Sequence, residues 1–399
     1  MSLAALATYG ITQERGFLCP FDAPSVALPG EFAQVLDVAR RLPEILPTGT
    51  VRAVLDALPV IPPDLIDELE DVQARVAMVH YSFLVQAYVW GADAPGLVLP
   101  APLAVPIVAL ADRLGQQPLL QYSGYVLDNW GLLDPAKGVS LDNIYMIQKF
   151  AAGTDEAWFV LVHVAIEARA GAALALFGPL IEAAAKGDAA DAEALLGRIV
   201  AVWAEINGLF DRMPEQCDPY IYFRRVRPYI HGWKDNPALG EGIVYRGVDR
   251  YGDAPQAFRG QTGSQSSIVP SMDALLGVGH AADPLRAYLD ELYIYRPPGH
   301  RRFVDDVRAT SGVRRFVAQA GHRGLTQAYN AAVQAVADFR SRHLEYAASY
   351  INSQGHKSAG NDTEIGTGGT PFMKYLKKHR DETRANLLSV PGESGEVAA

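Results

Sequence analysis

Apolar side chains recur at Leu325, Tyr329, Ala332, Val336 and Phe339, then at Ala347 and Tyr350. Steps of three and four residues put them on one face, so the spacing predicts a helix over Gly324–Ile351. His343 falls on that face, between Phe339 and Ala347. A neutral imidazole buried there needs a partner, because an unsatisfied polar group costs about 1–3 kcal/mol. The partner is a backbone carbonyl, another side chain or a metal ion, with haem iron the obvious metal case.

A second stretch is apolar on every side. Ala157–Ile166 predicts a helix buried all round, with Thr154 placed to cap it and Asp155 and Glu156 in its first turn. The polar residue in that run is His163, and Glu167 follows one turn later on the same face. Two readings stay open: a His163–Glu167 hydrogen bond, or a histidine projecting into a ligand cavity. Two residues at this spacing are too few to specify zinc.

The remaining pattern is helical too. Residues 1–30 form a proline- and glycine-rich arm, and helical spacing starts near Phe32 and returns over Pro63–Val89. Pro100–Pro106 punctuates a loop leading to a helix at Ile107–Leu114, and Leu119–Trp130 predicts another. A solvated helix is expected near Asp188–Leu209 and a loop over Asp253–Pro270. With no repeats and no strand-rich region, the expected fold class is all-α. The turn cluster Asp134–Gly138 divides it into a small N-terminal domain, 1–140, covering the distal side of a pocket, and a large C-terminal domain, 141–399.

Composition narrows the function classes. Hydrophobic residues are 49% and charged ones 20%, which suits a substantial core. A net charge of −10 and the lack of a basic stripe argue against nucleic acid. Cys19 and Cys217 offer neither a disulfide framework nor a metal knuckle. The N-terminus does not read as a signal peptide, and the best membrane-like stretch, Gly96–Ala111, is short and broken by prolines. A soluble, cytoplasmic monomer with no membrane partner is expected.

Candidate chemistry lies in three further places. Arginines crowd among aromatics over Tyr220–Tyr229, and one pointing inward would suit a carboxylate or phosphate. Phe258–Ser267 is dense in backbone donors and hydroxyls. Gly366–Pro371 runs into a helix with Thr370 as N-cap and Pro371 at the first helical position, an anion site or a flexible lid. Two inward histidines, an arginine among aromatics and a Gly/Thr loop suggest a haem pocket closing over a small aromatic anion.

The chain also resembles the indoleamine 2,3-dioxygenases along nearly its whole length. Landmarks are Glu14–Phe17, Ala87–Gly91, Leu103–Pro106, Tyr122–Trp130, Gly232–Lys234, Gly260–Ser267, Pro297–Arg301, Phe339–His343 and Gly366–Thr370. The resemblance implies haem b, ferrous iron active with dioxygen, and cleavage of the indole C2–C3 bond of L-tryptophan or a related indole. It implies His343 as the proximal iron ligand, Arg340 on a haem propionate and Asp273 in the propionate network. Arg227 would hold the substrate carboxylate and Tyr222 would pack on the indole. Tyr122, Tyr125, Val126 and Phe159 would line the pocket, Thr262 and Gly263 would lie over the haem face, and Thr367 would belong to the closing loop. One position departs: His163 stands where the best-known members carry serine, as in the related tryptophan 2,3-dioxygenases, and is the candidate catalytic residue. Alternatives are a haem-dependent aromatic monooxygenase or peroxygenase, and a haem-binding sensor without turnover.

Overall fold

In the computed structural model, residues 2–282, 284–354, 364, 366–367 and 372–392 are described. The apolar run around His163 becomes a helix over Asp155–Leu174, buried on nearly every side. Thr154 occupies its N-cap position, but the Thr154 side chain makes no capping bond. Glu156 instead turns back onto the preceding loop and accepts from the backbone N–H groups of Phe150 and Ala151 at 2.9 and 2.8 Å. The His343 pattern becomes the helix Arg323–Tyr350, within a residue of the expected span. His322 caps it, its Nδ1 accepting from the Leu325 N–H at 3.2 Å.

Between these two helices lies Ala189–Asp211, the element expected to be solvated. Leu195, Leu196, Ile199, Trp203, Ile206 and Phe210 are all buried along it. Two of its faces are therefore apolar, one for each neighbour. The His343 helix also packs against Phe372–Arg384.

Nearer the N-terminus, Asp71–Trp90 starts in a capping box between Glu70 and Gln73 and packs on Ala101–Leu114. That second helix begins six residues earlier than the prolines suggest. Pro102 sits in its first turn, where no N–H is required, and Pro106 lies inside it. The expected helix over Leu119–Trp130 is a single wide π-turn, Ser123–Leu127, after which Trp130–Leu132 pairs antiparallel with Ile144–Met146. Val98–Leu99 and Val244–Tyr245 form a two-residue parallel pair. The expected loop over Asp253–Pro270 is ordered by a 3-10 turn at Gly263–Gln265 and gives way to a helix at Ile268–Leu276.

The architecture among the described residues is all-α with these two minor ladders. Its hydrophobic core runs continuously from Tyr9 to Tyr350 and crosses position 140 without a break. The most membrane-like segment is Asp155–Lys186, with mean hydropathy 1.7, rather than Gly96–Ala111. Of that window 72% is buried inside the protein, which accounts for its apolar character.

Candidate active site

A cavity of about 630 Å³ lies among the His163, Ala189–Asp211 and His343 helices, the 263–266 turn and the Ile268–Leu276 helix. A second space of about 160 Å³ adjoins it, and His163, Phe210, Gly263, Ser264, Leu289, His343, Leu376 and His379 line both. His163 and His343 thus meet one space from two different helices, with the Phe210 ring 6.1 Å from one and 6.4 Å from the other. Both histidines keep some accessible surface although protein surrounds them, because that surface faces the cavity.

Their protonation follows from burial. The His343 imidazole is pushed down to about 4 by desolvation, then by His163 and Arg340 nearby. His163 is lowered too, chiefly by desolvation. Both are therefore neutral near pH 7. The Nδ1 of His163 lies 2.7 Å from the Phe159 carbonyl one turn back on its own helix. A carbonyl only accepts, so Nδ1 carries the proton and Nε2 is left as an acceptor. The expected bond to Glu167 does not form. Glu167 Oε1 instead accepts from the Tyr122 hydroxyl at 2.9 Å and the Ser266 hydroxyl at 2.7 Å. Those partners lie 45 and 99 residues away, beyond the reach of any local pattern.

Arg340 and Asp273 form a bidentate pair at 3.1 and 2.7 Å at the cavity wall. Burial pushes the Asp273 carboxyl up, but Arg340 and His280 outweigh it and hold the group well below the usual carboxylate range. His280 bridges Asp273 at 3.1 Å and Glu382 at 2.8 Å. Nothing in the sequence pattern pointed to His280, His379 or Glu382, because the contact between their segments is tertiary.

Other expected residues divide into two groups. Tyr122, Phe159, Tyr222, Thr262, Gly263 and Thr367 line the cavities. The Phe159 and Tyr222 rings lie 4.7 Å apart as an aromatic wall. Thr262 caps the 263–265 turn, and the Thr367 hydroxyl donates to the Gln261 carbonyl at 2.6 Å. Tyr125, Val126 and Arg227 stand behind that lining. Tyr125 packs at 6.4 Å behind Phe159, and Val126 is fully buried. Arg227 is fully buried over the Phe223 ring at 5.5 Å, near enough to Tyr222 to oppose the rise that burial gives that phenol. The N-cap and first-turn roles expected of Thr370 and Pro371 lie outside the described residues.

A largely apolar cavity flanked by two neutral histidines and bordered by arginines is the kind of site that holds a small molecule or cofactor in a helical enzyme. The family model described as indoleamine 2,3-dioxygenase matches residues 5–386. Indoleamine 2,3-dioxygenase 1 of Rattus norvegicus is 34% identical, over 97% of this chain and 96% of its own length. The indoleamine 2,3-dioxygenase of Saccharomyces cerevisiae is 31% identical over 96% of this chain and 94% of its own. An Aspergillus nanangensis indoleamine 2,3-dioxygenase is 30% identical over 97% and 98%. The chain belongs to the indoleamine 2,3-dioxygenase family.

Proposed function

We propose that this protein is a haem dioxygenase that cleaves the C2–C3 bond of an indole, L-tryptophan or a close relative, to a product of the N-formylkynurenine type. The observation that carries the reading is the pair of neutral histidines facing one cavity from separate helices, in a chain of this family. The residues present fit a haem. The cavity has the volume of a cofactor site, and its walls are largely apolar. His343 makes no hydrogen bond among the described residues, so its imidazole is free to bind iron. His343 would hold the iron of haem b and Arg340 would face a propionate. When bound, the haem supplies the dioxygen chemistry that the side chains lack.

The chain's own contribution is positioning, worth several kcal/mol of barrier lowering. Nε2 of His163 accepts the indole N–H, giving each polar group a partner in a largely apolar space. Phe159 and Tyr222 form the aromatic wall on which the flat ring packs. Tyr122 is fixed by its bond to Glu167 and backs the pocket. Thr262, Gly263 and Thr367 would border the bound substrate. Arg227, buried beside Tyr222, is the candidate partner of the substrate carboxylate. Dioxygen and the indole are its partners in this reading, and a cytoplasmic monomer without nucleic-acid or membrane partners remains the proposal.

The test is to load the protein with haem, reduce it, and supply tryptophan with isotopically labelled dioxygen. A product carrying two labelled oxygen atoms is expected. One labelled atom would assign a monooxygenase instead, and none would overturn the reading.

A further inference from the structure

Four arginines line the larger cavity: Arg286, Arg296, Arg308 and Arg340. Three of them have carboxylate partners. Arg286 meets Asp290 at 2.8 Å, Arg308 meets Asp305 at 3.0 Å, and Arg340 is held by both oxygens of Asp273. Arg296 differs. It is 5% exposed, and among the described residues no carboxylate lies within ion-pair distance of it. Its polar contact is to the Ser264 carbonyl at 3.1 Å, its Nε bonds nothing, and its guanidinium lies 5.9 Å over the Tyr293 ring. Asp305, the nearby acid, is already engaged by the Tyr293 hydroxyl and by Arg308.

A buried cation without a counter-charge is costly, and the cost is relieved when an anion arrives. Arg340 cannot be that receptor alone, since Asp273 already cancels its charge and Glu382 adds a second acid behind His280. We propose that Arg296 is the counter-charge for a carboxylate of the group that fills the cavity, namely a haem propionate. The inference rests on the haem reading above. The guanidinium reaches the Ser264 carbonyl at the 263–265 turn, so a propionate it received would lie beside that turn. Desolvation, with Arg308 and Arg286 close by, outweighs the opposing pull of Tyr293 and Asp305 and pushes Arg296 down to about 10.

The consequence is an opposite effect on the two forms of the protein. Arg296→Met removes an uncompensated buried charge from the haem-free protein and a charge-assisted bond from the haem-bound one. The haem-free variant should melt higher than wild type, while its haem affinity falls about ten-fold or more. Haem b and its dimethyl ester, which lacks carboxylates, are titrated into haem-free wild type, Arg296→Met and Arg296→Lys, with the Soret band and thermal unfolding as readouts. Wild type and Arg296→Lys should prefer haem over the ester, and Arg296→Met should lose most of that preference. Equal preference in Arg296→Met and wild type would overturn the proposal while leaving the haem reading intact. A haem-free Arg296→Met that melts lower, with both ligands weakened alike, would also overturn it and make the residue structural. Failure of wild type to bind haem at all would overturn the haem reading first, and the proposal with it.

Discussion

Nδ1 of His163 lies 2.7 Å from the Phe159 carbonyl, and that one contact leaves Nε2 as the ring's acceptor. An indole N–H bonded to Nε2 is a neutral hydrogen bond, so His163→Ala should slow tryptophan turnover by only about 0.5–1.5 kcal/mol. The sharper measurement is the ratio of kcat/KM for tryptophan and its N-methylindole analogue. Wild type should discriminate against the analogue, and His163→Ala should regain it, because the unpaired acceptor and the clash both vanish. An unchanged ratio would remove His163 from substrate recognition. Glu167 makes a second prediction. Desolvation pushes its carboxyl up to about 7, against the hydroxyls of Ser266 and Tyr122 that donate to it. In the unfolded chain it ionises near pH ~4.3. Between those values the unfolded chain releases the proton while the folded protein keeps it, so stability falls as pH rises through this window and levels above about 7. Glu167→Gln keeps an acceptor for both hydroxyls and removes the titration. Its unfolding free energy should decline less from about pH 5 to about pH 8, by roughly 3 kcal/mol in total. Parallel curves for the two proteins would show that Glu167 is ionised throughout.

At the scale of elements, the N-terminal arm and the His163 helix touch backbone to backbone. A Cβ on Gly171 would meet the Gln13 carbonyl at 2.5 Å and the Gly16 nitrogen at 2.7 Å, and Gly16 itself has φ +57°. Gly171→Ala should therefore push the arm off the helix and destabilise the protein by about 1–3 kcal/mol. Gly197→Ala is the control: that glycine is exposed in a helix interior with open space around it, and alanine there should stabilise by about 1 kcal/mol. Equal melting shifts in the two variants would refute the contact. Gly232 and Gly260 approach each other in the same manner, with the Gly232 N–H also donating to the Thr367 carbonyl at 3.2 Å. This explains in physical terms why those short glycine motifs carry the family resemblance: a side chain at either place would force apart the segments that meet there beside the cavity.

Over the whole molecule, we propose the division near residue 140 as one between lobes of a single folding unit. The Tyr9 hydroxyl donates to Asp306 at 2.6 Å, the Tyr9 and Phe303 rings meet at 5.3 Å, and Gln148 donates to the Ala39 carbonyl at 2.7 Å. Residues 1–140 produced alone should show no cooperative unfolding by circular dichroism, and mixing with 141–399 should restore it. A sharp transition in the isolated fragment would make the two lobes independent domains.

What the sequence determined is the helical class, the long helix of His343, the buried helix of His163 and the family. Each of these is written in local periodicity or in short motifs. It placed the helix Ala189–Asp211 and its solvated side but not its two buried faces, because a helix apolar on two faces reads as a weak pattern when its second neighbour is unknown. It misjudged Pro106 because a proline one turn into a helix looks like a break. Tertiary structure alone decided that His163 bonds its own backbone while Glu167 serves Tyr122 and Ser266. It decided that Asp273 takes up the charge of Arg340, that Tyr125, Val126 and Arg227 stand behind the lining, and that Arg296 is left with its charge unanswered. For Glu167 and Asp273 the physical reason is the same: which partner a buried polar group finds depends on segments tens of residues away, and only the folded chain brings them within hydrogen-bond reach.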